Sequence, residues 1–192
     1  MHFRLAPDFR KPVLDMERYK VMIACCIFEK RIQASEDCEE LSTMVFEIGS
    51  ADKTEHRQLA SAPAISLLKD RKILFNLDYC VFHNLSNHYP AILVREIGKL
   101  FPRYSAKPRL FRNRLKDPDA GFSLFGVPAF DSFHPPFSEY AADYYACSWG
   151  FLEEVSAYRC QILRDPSYAD VLAKYTDADQ FRLAAYRYHK HR

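Results

Sequence analysis

Apolar residues recur every three or four positions between Leu14 and about Ala34, at Leu14, Tyr19, Met22, Ile23, Cys26 and Ile27. That spacing predicts an amphipathic helix. The segment before it, residues 1–13, carries two prolines and reads as extended. EDCEE (36–40) is acidic and polar. STMVFEI (42–48) reads as a strand closed by Gly49 and Ser50. AISLLKD (64–70) reads as a short helix, and the alternating stretches of RKILFNLDYCVF (71–82) as a strand. HNLSNHYP (83–90) is a loop whose Pro90 suits the first turn of a helix. That helix is AILVREIGKLF (91–101), stopped by Pro102. Residues 102–136 are rich in proline, glycine and phenylalanine and show no period. Ser138 is a candidate N-cap for a helix through Trp149, with Gly150 near its end. Residues 151–192 read as two or three further helices, broken near Asp165-Pro166. The expected class is α+β: a small mixed sheet with an edge strand, packed on helices, and a helical C-terminal part.

Composition narrows the classes without naming one. A chain of 192 residues suits one domain with a real core. Its 48% apolar and 27% charged residues are ordinary for a globular protein. The net charge of +2 points to no particular partner. Six cysteines include no CxxC pair, and the start, MHFRLAPDFRKPVLD, holds no apolar core of a signal peptide. The longest apolar run, Val21 to Phe28, is too short to span a bilayer. The expectation is a cytoplasmic protein with reduced, mostly buried thiols and no membrane partner.

Two helices carry the candidate chemistry. In AILVREIGKLF, Arg95 and Lys99 stand at i and i+4, a spacing that puts both on one helical face. Glu96 follows the first of them, and Gly98 precedes the second. Downstream, FSEYAADYYACSWGF (137–151) sets Glu139 and Asp143 at i and i+4, with Ala142 and Ala146 beside them. The order of strand, loop, helix, irregular stretch and second helix resembles the gluzincin zinc metallopeptidases, whose motifs are HExxH and ExxxD. Arg95-Glu96-Ile97-Gly98-Lys99 is similar to the first motif with both histidines replaced. Glu139 and Asp143 match the second. The resemblance covers roughly 71–151. It implies one metallopeptidase-like domain over 1–192: an N-terminal helix and strands (1–70), a degenerate zincin core (71–151) and C-terminal helices (152–192). It makes Arg95, Lys99 and Glu139 former metal-ligand positions, Glu96 a vestigial general base, and Asp143 the acid that would orient a ligand.

Neither replacement suits zinc. An arginine keeps its proton, with a pKa above ~12, and offers donors only. A lysine binds metal only once deprotonated, and two cations repel a dication. They do suit the acids around them. The expectation is an ion-pair cluster, Arg95 with Asp143 or Glu139 and Lys99 with Glu139, and no cofactor. Zinc enters only in the alternative of a hydrolase with displaced ligands, for which His83, His88 and His134 are the candidates. Their plainer reading is loop histidines with local hydrogen bonds. Cys147 reads as a buried thiol without a histidine partner.

RYSAKPRLFRNRLK (103–116) holds Arg103, Lys107, Arg109, Arg112 and Arg114 without an acid, and Tyr104 and Phe111 lie among them. Such a stretch can track phosphates while its aromatics stack on bases. Its plainer reading is a solvated loop that meets acidic surface or a protein. The function expected from all this is a catalytically inactive metallopeptidase-like domain that binds a protein or peptide, with ILFNL (73–77) as the edge strand for it. The alternatives are the zinc-dependent hydrolase and a nucleic-acid-associated module using 103–116.

Overall fold

The computed structural model describes residues 2–6, 15–51, 62–67, 69–104, 142–143 and 145–164. In chain order these form β1 (His2–Leu5), α1 (Asp15–Ile32), α2 (Cys38–Ser42), β2 (Val45–Ser50), β3 (Ala64–Leu67), β4 (Lys72–Phe75), α3 (Leu77–Phe82), α4 (Tyr89–Tyr104) and α5 (Leu152–Arg164). Residues 142–143 and 145–148 are also helical and are called here the Asp143 helix. Among the described residues no helix is long and apolar enough to cross a membrane.

The four strands form one sheet in the order β1-β2-β4-β3. β1 runs parallel to β2, with Phe3 beside Phe46 and Leu5 beside Ile48. β2 runs parallel to β4, with Ile48 beside Ile73. β3 is antiparallel to β4, pairing Ala64 with Phe75 and Leu67 with Lys72. The sheet is therefore mixed, as expected, and its helices complete an α+β arrangement. Gly49 sits where β2 and β4 touch. A Cβ there would lie 2.9 Å from Leu74 Cδ2, so a side chain would push the strands' packing apart.

Two sequence expectations change. AISLLKD is not a helix: its first four residues are β3. Four apolar-rich residues are too few to show a period, and the pairing with β4 decides their conformation. RKILFNLDYCVF is not one strand. It is β4 followed by α3, because the Asn76 side chain accepts a hydrogen bond from the Tyr79 N–H at 3.0 Å and starts a helix. α3 then closes on Asn84, which takes the left-handed φ of 56°. Leu85 N–H reaches back to Cys80 C=O at 2.7 Å, a Schellman closure.

The expected edge strand is also corrected. Ile73, Leu74 and Phe75 of ILFNL are buried, and β4 is flanked by β2 and β3. An unbroken apolar run suits a strand covered on both faces rather than one at a margin. Among the described residues the terminal strands are β1 and β3.

The core lies between the sheet, α1 and α4. Val21, Ala24, Cys25, Phe28 and Ile32 of α1 are buried with Phe46 and Ile48 of β2 and with α4's Ile92, Leu93, Val94, Ile97, Leu100 and Phe101. Trp149 and Phe151 anchor the chain's return to this core. Their rings lie 5.6 and 5.8 Å from that of Phe28. The Trp149 indole N–H donates to Asp37 Oδ2 at 2.8 Å. Gly150, at φ 84°, turns the chain between the Asp143 helix and α5. Arg31 fastens that turn: it donates to the Gly150 carbonyl at 2.9 Å, pairs with Glu154 at 2.6 Å and lies over the Phe151 ring at 4.6 Å.

Candidate functional site

α4 is buried along almost its whole described length, so its charged residues at 95, 96 and 99 cannot all face solvent. One turn separates Arg95 from Gly98 and places them on the same side of the helix. At Gly98 the Asp143 helix comes close. A Cβ there would stand 3.0 Å from both Ala142 Cα and the Ala142 carbonyl oxygen, so the crossing depends on the missing side chain. The close approach puts Asp143 within reach of Arg95. Arg95 Nε donates to Asp143 Oδ1 at 2.7 Å, and their side chains are 3% and 1% exposed.

The second carboxylate oxygen is also occupied. Asp143 Oδ2 accepts from Arg159 Nη2 on α5. One acid thus joins three helical segments through two guanidinium groups. The Arg95 guanidinium also lies 5.7 Å from the centre of the Tyr158 ring, a cation–π contact shielded from water. Both oxygens of the buried Asp143 carboxylate are thus engaged by guanidinium donors.

Glu96 and Lys99 form a separate pair. Lys99 Nζ lies 2.7 Å from Glu96 Oε1, an i,i+3 contact at the partly buried edge of α4. Of the two acids considered for Arg95, the structure gives Asp143. Glu139, the acid considered for Lys99, lies outside the described residues. So do His134, Lys107, Arg109, Arg112 and Arg114, while Arg103 falls in the last turn of α4. Arg159 and Tyr158 were not foreseen. Nothing local marks them, because their relation to Asp143 depends on where α5 returns.

The donor set at this crossing does not fit zinc. Arg95 presents hydrogens only and is engaged with Asp143, and Lys99 is engaged with Glu96. Among the described residues, no group of three or more His, Cys, Asp or Glu is placed to hold a metal ion. His83 caps α3, with its ring 4.2 Å from Tyr79 and 4.8 Å from Phe82. His88 lies just ahead of α4, half-buried, its ring 5.9 Å from Tyr158. Burial lowers its pKa from the ordinary 6.5. Cys147 is buried beside the cluster. Desolvation and the nearby Asp143 raise its pKa, against the opposing pull of Arg159 and Arg95. A thiol held in its protonated form is a poor nucleophile.

A second buried polar contact lies near the start of α4. Tyr89, fully buried, donates its hydroxyl hydrogen to Glu17 Oε2 at 2.7 Å. Glu17 Oε1 accepts from Lys20 Nζ at 2.7 Å. Burial pushes the Glu17 carboxyl up, but hydrogen bonds from Lys20, Ser86 and Tyr89 and the Lys20 charge outweigh it, so its pKa lies below the ordinary 4.5. The neighbouring Cys80 thiol is pushed up to about 12 by burial. This contact ties α1 to α4 and offers no reactive group.

Comparison of the chain with protein-family models, curated proteins and solved structures finds no match.

Proposed function

We propose that the chain is a metallopeptidase-like domain whose metal position is taken by an ion-pair network, and that it acts by holding a protein or peptide segment. The observation that supports this reading is the Arg95–Asp143–Arg159 cluster, buried where α4 meets the Asp143 helix. In the gluzincin resemblance the same positions carry a zinc-binding histidine and the acid that orients a ligand. A cation at one and its counter-charge at the other preserve the helix crossing without a metal. Glu96, the vestigial base, is paired with Lys99.

The binding surface belongs to β3. In its antiparallel pairing Pro63 C=O accepts from Asn76 N–H, which makes 65 and 67 the inward-bonded positions. The N–H and C=O groups of Ala64 and Ser66 therefore point away from β4. An extended segment can add to that margin through main-chain hydrogen bonds.

The test pairs metal content with binding. Protein purified without chelator or affinity metal should contain well under one zinc per chain by elemental mass spectrometry. It should bind members of an extended-peptide library. Ser66→Pro removes one outward N–H and should abolish that binding with little change in thermal stability, since proline is tolerated on terminal strands. One zinc per chain with zinc-dependent peptide cleavage overturns the reading, as does a library without a binder.

A further inference from the structure

The last turns of α1 and the end of the Asp143 helix border a cavity of about 530 Å³ that opens to solvent. That volume lies in the range of small-molecule sites. Ile27, Ala34 and Trp149 supply its apolar wall. Lys30, Arg31, Ser35 and Ser148 supply its polar groups, and among the described residues no carboxylate lines it. The polar groups differ in what they have left to offer. Arg31 is committed to the Gly150 carbonyl and to Glu154, so its charge is balanced. Lys30 is exposed, and among the described residues it makes no hydrogen bond or ion pair, so its charge is not. The Ser35 hydroxyl oxygen accepts from the Asp37 N–H at 3.1 Å and keeps its own hydrogen to donate. Ser148 donates its hydrogen to the Tyr145 carbonyl at 2.9 Å.

We propose that this cavity binds a small organic monoanion, a carboxylate carried on an apolar body. Three features select that class. The lining has one unbalanced positive charge, which suits one negative charge and repels an organic cation. The Lys30 ammonium and the remaining hydrogen of Ser35 are donors, and a carboxylate is an acceptor only. Ile27, Ala34 and Trp149 give the apolar body a surface to cover, which drives burial without further charge. The walls are also fixed before a ligand arrives. The Trp149 indole is held by its bond to Asp37 and by edge contacts with Phe28 and Phe101 at 5.6 and 5.4 Å. Arg31 ties the end of α1 to the Gly150 turn. A site held in this way loses little freedom on binding.

This inference does not rest on the peptide-binding reading, because the cavity and β3 are built from different elements. Trp149 is the only tryptophan in the chain, so its fluorescence reports on this cavity. Three probes of similar shape and different charge separate the features: phenylacetate, its neutral amide phenylacetamide, and phenethylammonium. With the full chain, phenylacetate should change the Trp149 emission saturably in the millimolar range. The amide should bind more weakly and the ammonium not at all. Lys30→Gln should weaken phenylacetate binding by about fivefold, the size of an exposed ion pair, and leave the amide unaffected. Ala34→Leu, which fills the cavity from an exposed position, should abolish both responses while the circular dichroism stays unchanged. Absence of a saturable change with phenylacetate overturns the proposal. So does equal affinity for the three probes, or phenylacetate binding that neither substitution alters.

Discussion

Near the start of α4, Tyr89 donates to Glu17 of α1; less than two turns further on, Arg95 pairs with Asp143. Both contacts put a carboxylate against the same helix, at the same 2.7 Å. They differ in what remains if one side is removed. Glu17 keeps Lys20, which is about one-third exposed and can bring water and charge with it. Its partner on α4 is a neutral phenol. Asp143 and Arg95 are both sealed from solvent and both charged, with Arg159 leaning on the same acid. The first contact orients two helices near the rim of the core. The second commits three helical segments to one arrangement through a single acid, whose loss would leave two guanidinium groups without their shared counter-charge.

The largest expected effect is at the sealed cluster. Asp143→Ala should cost ~3–5 kcal/mol in denaturant unfolding, because it leaves the buried Arg95 without its counter-charge. Combining it with Arg95→Ala should cost less than the sum of the two changes, since Asp143→Ala alone strands the Arg95 charge that the second change removes. A loss below about 1 kcal/mol would place the pair in the class of surface ion pairs and erase the contrast.

Tyr89→Phe removes one hydrogen bond to a charged acceptor and should cost ~1.5–3 kcal/mol. Equal losses for Tyr89→Phe and Asp143→Ala would mean that the residual Lys20 contact does nothing to cushion Glu17.

Gly98→Ala tests whether the crossing itself holds the cluster together. The added methyl would meet Ala142 backbone at 3.0 Å, so a cost of ~1–3 kcal/mol is expected from overpacking. The double variant with Arg95→Ala should be non-additive, because a displaced Asp143 helix has already loosened the ion pair. Strict additivity would separate the close approach from the charge contact.

The smallest effects are in pH dependence. His88 has a folded pKa below 6.5, so the unfolded chain takes up its proton first as pH falls. Its contribution is complete above 6.5 and is lost as pH falls through the folded value. Glu17 has a folded pKa below 4.5, so its contribution is complete above that value and is lost at lower pH. His88→Gln should flatten the stability profile just below pH 6.5, and Glu17→Gln should flatten it below pH 4.5. Exchange of these two windows would contradict the assignment of the groups.

α4 was legible because it spans enough turns to display its spacing; α1 is a helix as expected, but the positions that predicted it, Tyr19, Met22, Ile23 and Cys26, are exposed, and Val21, Ala24, Cys25, Phe28 and Ile32 are its buried face. Arg95 and Asp143 were legible as partners because two short motifs set a cation and an acid on helices lined with small residues. β3 was misread because four residues show no period, and β4 with α3 because a single asparagine, Asn76, changes the conformation mid-run. The edge-strand assignment failed because strand order is a long-range property: ILFNL carries no mark of whether it has one neighbour or two. Arg159 was invisible for the same reason, standing 16 residues from Asp143 with no pattern linking them.

The sequence by itself determined where helices begin and turn, through local groups such as Asn76 and Gly150, and it determined that charges lie among the apolar residues of α4. Only the tertiary structure decided which charges meet. A buried carboxylate accepts whichever donors the packing brings within about 3 Å, and that choice depends on the Gly98 crossing and the return of α5 rather than on spacing along the chain.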